Sequence, residues 1–113
     1  MTTSHDEVRR LAFALPGVTE ADHHGRTSFR LGTVVLATLP DEHGLNVMVA
    51  ESEARAAAAE SPACSLLWWG TKLSGVRVEL TAADAGLVGD LLEEAWRRRA
   101  PARLLRDPPP SPG

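Results

Sequence analysis

Leu15-Pro16-Gly17-Val18-Thr19-Glu20-Ala21-Asp22-His23-His24-Gly25-Arg26-Thr27-Ser28-Phe29-Arg30 is the stretch that decides the fold of this chain. Upstream of it, Val8, Leu11, Ala12 and Leu15 recur at helical spacing and form one apolar stripe. Ser4 and Glu7 stand three apart at the start of that stripe, the pattern of a capping box that would satisfy two orphan backbone donors. Pro16 disfavours helical backbone in the residue before it, so the helix ends at Pro16-Gly17. A short polar segment then crosses, and a strand begins where Phe29 and Leu31 take one face and Ser28 and Arg30 the other.

Working outward from that junction, Gly32-Thr33 turns the chain into Val34–Leu39, which is apolar on both faces and reads as a central strand. Pro40-Asp41-Glu42-His43-Gly44 is a hairpin loop. Leu45, Val47 and Val49 alternate with Asn46 and Met48, as a half-buried strand requires. Glu51 to Glu60 is alanine-rich and helix-forming, with an apolar face so small that the helix should sit thinly on the rest. Ser65–Trp69 reads as a short strand or an ordered loop, and Gly70 to Gly75 as a turn. Val76, Val78 and Leu80 alternate with Arg77 and Glu79 in the clearest strand of the chain. Thr81 with Asp84 resembles a second capping arrangement. Leu87, Val88, Leu91, Leu92, Ala95 and Trp96 then make the widest apolar stripe, closed by Arg97-Arg98-Arg99, whose charges complement the helix dipole, and stopped by Pro101.

The expected fold class is therefore α+β: a two-layer sandwich in which an antiparallel meander sheet carries the N- and C-terminal helices on one face. A single domain is expected over residues 4–105, followed by a disordered proline-rich tail, 106–113, with no apolar content to bury.

Composition limits the function classes. The formal net charge is −3, from 12 Lys and Arg against 15 Asp and Glu. Proteins held to nucleic acid by phosphate contacts usually carry a basic excess, so DNA binding here requires a local patch. Cys64 is the only cysteine, which removes intramolecular disulfides and multi-thiolate zinc sites. No apolar run approaches the ~20 residues of a membrane span, and no apolar signal core opens the chain, so the expected location is the cytoplasm.

Taken together, the LPGVTE and HHGRTSFRLG segments (Leu15–Glu20 and His23–Gly32), the Thr38–Val47 hairpin and the late Leu91–Pro101 helix resemble the MmcQ/YjbR family, over about Val8 to Leu105. The resemblance implies a CyaY-like (frataxin-like) fold and, by the family's usual label, DNA binding. Ties of some family members to antibiotic biosynthesis imply binding of an antibiotic or other metabolite as the alternative. The passage Ser61–Lys72 is shorter than its family counterpart, which often carries a Lys/Arg-rich turn. Frataxin's iron chemistry is not implied either, because the first helix offers only Asp6 and Glu7, beside Arg9 and Arg10.

The residues themselves offer two candidate sites. Arg26, Arg30, Lys72, Arg77, Arg97 and Arg98 are the candidates for phosphate contacts. Arg26 and Arg30 are equally readable as strand residues paired with Glu79 or Glu42, and the carboxy-terminal arginines as dipole compensation. His23, His24, Arg26 and one of Trp68 or Trp69 would border a small-molecule pocket, because an exposed indole stacks on flat ligands. In an extended segment only one of these two tryptophans enters the core. Arg30, Asn46, Met48 and Arg77 all fall on the sheet face opposite the core stripe. Adjacent histidines on extended backbone point opposite ways, so no metal site is expected at His23 and His24, and no cofactor is expected. No nucleophile elbow, phosphate-cradling loop or paired-carboxylate signature is present. The expectation is a non-catalytic binding protein, monomeric or a homodimer that buries its open sheet face.

Overall fold

The computed structural model describes residues 2–23 and 25–101. The expected tail 106–113, and the end of the expected domain beyond residue 101, lie outside them.

Helix α1 (His5–Phe13) starts on Ser4, whose Oγ accepts from the Glu7 amide at 3.1 Å. The capping box is only half built, because the Glu7 carboxylate accepts instead from Arg10 Nε, at 2.9 Å. The helix ends at Phe13 with Ala14 as its C-cap, ahead of the expected stop at Pro16, and Gly17 takes a positive φ of 79° to redirect the chain.

The segment expected to be a polar crossing is a strand. β1 (Val18–His23) pairs antiparallel with β2 (Arg26–Leu31) along its whole length, from Val18 opposite Leu31 to His23 opposite Arg26. Glu20, Ala21 and Asp22 are poor strand formers. They are tolerated because β1 is an edge strand, where charge also discourages pairing with other chains. Glu20 accepts from Arg9 Nε at 2.9 Å, tying this edge to α1.

β3 (Val34–Leu39) and β4 (Gly44–Val47) continue the meander. Helix α2 (Glu51–Glu60) buries only Ala54 and Ala57. Then the meander breaks. β5 (Cys64–Trp69) lies at the far edge, and β6 (Lys72–Glu79) returns between it and β4, giving the order β1-β2-β3-β4-β6-β5. The turn expected over Gly70–Gly75 shrinks to Gly70-Thr71, and the strand begins at Lys72. Burial explains the crossover. Val76 and Val78 are fully buried and need neighbours on both sides, whereas β5 ends in exposed positions that an edge accommodates.

Helix α3 (Ala85–Arg99) is capped by Asp84, which accepts from the Leu87 amide at 2.8 Å. Thr81 instead donates to Glu79. α1 packs on α3 and β1, α3 on β3 and β4, and α2 on β5 and β6. Val8, Phe29, Leu36, Leu45, Val78, Val88, Leu92 and Trp96 share one core with Ala54 and Ala57, so all three helices cover the same face. Each such buried Val, Leu or Phe contributes about 1.5–3 kcal/mol. The result is an α+β two-layer sandwich with the other sheet face uncovered by helices. No helix among the described residues is long and apolar enough to cross a membrane.

Candidate ligand-binding concavity

The sheet order produces a row that no single strand displays. Ala21, Ser28, Thr38, Asn46, Arg77 and Ser65 are successive cross-strand partners across all six strands. Cross-strand partners share a face, and this row lies on the uncovered one. Its side chains are mostly short, so the middle of the face is a trough. Longer groups stand around it. Arg26 and Pro40 rise on one side, and Leu67, Trp68 and Trp69 on the β5 side, with Val35, Met48 and Ser74 completing a concavity of about 680 Å³. That volume falls within the usual range for small-ligand sites.

Neither Trp68 nor Trp69 enters the core; they are 49% and 81% exposed. The expectation that one would be buried fails because the hairpin is irregular. Leu67 pairs with Gly75 but Trp68 with Leu73, leaving Ser74 as an extra residue. Such a bulge re-aims the side chains beyond it, and both indoles line the concavity. Trp96, by contrast, is fully buried, as its place on the α3 stripe requires.

The charged candidates separate into three groups. Arg30 and Arg77 are held by the protein itself. Arg30 Nε donates to Ser28 Oγ at 3.1 Å, and that hydroxyl donates in turn to the Ala21 carbonyl at 2.9 Å. Arg77 Nη2 lies 3.1 Å from Asp41 Oδ2 and 3.9 Å from Glu79 Oε2. Its guanidinium lies flat over Gly44, where a Cβ would come within 2.5 Å of Nη1. Asp41 is fixed in turn, accepting from the amides of His43 and Gly44 at 3.0 and 2.7 Å. These amide hydrogen bonds, His43 first, together with Arg77 hold its carboxyl below the ordinary range.

Arg97 and Arg98 belong to the helix layer and do not join the arginines of the open face. Arg97 pairs with Glu93 at 2.9 Å, and Arg98 lines a shallow crevice with Glu53 and Glu94. Arg26 and Lys72 form the third group, with no hydrogen bond or ion pair to another described residue. Lys72 lies opposite Trp69 at the end of the β5–β6 hairpin. His23 ends β1 opposite Arg26, and His24 lies outside the described residues.

Other reactive groups stand apart from the concavity. Burial pushes the Cys64 thiol up, against a weaker opposing hydrogen bond from Ser61. Among the described residues no three His, Cys, Asp or Glu side chains are grouped to hold a metal ion. Asn46 is different. It lines the concavity, and its Oδ1 is buried with no hydrogen-bond partner. Asn46 and Met48 are legible in the sequence as open-face residues. Val35, Thr38, Pro40, Leu67 and Ser74 are not, because their convergence depends on β6 lying beside β4.

The model of the YjbR family matches residues 13–98, from the last residue of α1 into the last turn of α3. This chain belongs to the YjbR family. Every residue lining the concavity of this YjbR chain falls inside the matched region. No curated protein and no solved structure matches it.

Proposed function

We propose that this YjbR-family protein is a non-catalytic binder of a small, flat, largely apolar molecule, held in the concavity of the open sheet face. The observation that carries this reading is the pair Trp68 and Trp69, both exposed and both lining the same concavity. A large exposed aromatic pair keeps apolar surface in water, and covering it is favourable at roughly 25 cal/mol per Å². Stacking adds about 0.5–1.5 kcal/mol for each well-placed ring.

Nucleic-acid binding draws less support. Of its six candidate cations, Arg30 and Arg77 are engaged within the sheet face, and Arg97 and Arg98 lie with acidic neighbours in the helix layer. That leaves Arg26 and Lys72 against a net charge of −3.

The test is a titration with anilinonaphthalene sulfonate, read by dye emission and by energy transfer from tryptophan. Saturable binding is expected, weakened about tenfold or more in Trp68→Leu and Trp69→Leu. Absence of saturable binding to the folded protein would remove the reading. So would tight binding to a DNA duplex with a steep loss of affinity as salt rises, if the dye did not compete for it.

A further inference from the structure

We propose that the ligand of this concavity is an elongated aromatic acid, with its rings on Trp68 and Trp69 and its anionic group on Arg26. This rests on the binding reading above and specifies the chemistry of the molecule.

Three observations converge on it. First, the concavity contains a cation and no acid: Arg26 lines it, and neither aspartate nor glutamate does. In a chain with more acidic than basic residues, that local sign is set against the global one. Second, Arg26 makes no hydrogen bond or ion pair with another described residue, whereas its open-face neighbours Arg30 and Arg77 are both engaged. A guanidinium presents a planar fork of donors that matches a carboxylate or sulfonate. Third, the buried Asn46 Oδ1 between the two ends lacks a donor. Leaving such an acceptor dry is unfavourable, and because Asn46 lines the concavity a turn of its amide would present the oxygen to a ligand N–H or O–H.

The spacing sets the shape. Arg26 is on β2 and the tryptophans are on β5, with β3, β4 and β6 between them. Four inter-strand steps amount to about 19 Å between backbones. Both kinds of side chain are long and line the concavity, so the gap left between them suits two or three linked rings rather than one.

A pair of dyes separates charge from shape. Anilinonaphthalene sulfonate and uncharged phenylnaphthylamine share their rings and their N–H and differ by the acid group. In Arg26→Gln the sulfonate dye should bind about tenfold more weakly, the size expected for losing a charge-assisted hydrogen bond. The uncharged dye should stay within about twofold of its wild-type affinity. Arg26→Lys, which keeps the charge but not the fork, should fall between. If Arg26→Gln changes both dyes alike, or neither, the acid-binding role of Arg26 is overturned while the binding reading stands. If neither dye binds the wild-type protein, both fall.

Discussion

The indole Nε1 of Trp96 donates to the Pro16 carbonyl at 2.8 Å, joining the last helix to the turn that ends the first. Eighty residues of chain separate the two. The bond completes the burial of the largest core side chain and satisfies a carbonyl of the turn that follows α1. Trp96→Phe keeps most of the apolar contact and orphans that carbonyl. The expected loss is about 1–3 kcal/mol, measured by urea unfolding followed by circular dichroism. A loss near zero would mean that water replaces the indole at no cost.

Two glycines should respond in opposite ways to alanine. At Gly75 the added Cβ would sit 2.1 Å from the Val47 carbonyl oxygen, where β4 ends beside β6. Backbone must move, so Gly75→Ala should destabilise by about 1–3 kcal/mol and weaken dye binding through the displaced Met48. At Gly89, inside α3, the Cβ would meet Leu11 Cδ2 at 3.4 Å, an ordinary contact. Gly89→Ala should raise stability by up to about 1 kcal/mol through helix propensity. Thermal melts of both variants check the pair.

Asp41 should make stability depend on acid. Its carboxyl is held below the ordinary range by the His43 and Gly44 amides and by Arg77. A depressed carboxylate stabilises the fold above its unfolded pKa, and that contribution disappears as pH falls through the folded value. Asp41→Asn should therefore be less stable than wild type near neutrality, with the difference closing in acid. Urea midpoints taken from about pH 6 down to about pH 2 would show convergence. A constant gap would assign the effect to loop geometry alone.

Cys64 should be slow toward thiol reagents in the folded protein. It is buried, and burial pushes its thiol up, so little thiolate is presented near neutrality. Labelling by a disulfide reagent should be fast in urea and limited by opening in buffer. Rapid native labelling would show that the α2–β5 contact opens readily.

Much of the fold is legible in the chain because it is written in periodicity. The α1 and α3 stripes, the Ser4 cap and the strands from Phe29 to Val47 follow from spacing, although β4 stops short of the expected Met48 and Val49. β1 is not legible, since Glu20, Ala21 and Asp22 have little strand propensity and the strand is held by backbone pairing to β2. The tryptophan pair is half legible. Alternation places one indole outward, and only the bulge at Leu67/Trp68 brings out the second.

The sequence by itself determined the helices, their buried faces and the identity of the residues that face away from the core, because side-chain periodicity records which surface must leave water. Tertiary structure alone decided that β6 inserts between β4 and β5, and hence that Asn46, Arg26 and two tryptophans surround one concavity. Strand order is chosen by which edges must be buried on both sides. That choice is a competition among all the strands at once, and no local pattern carries it.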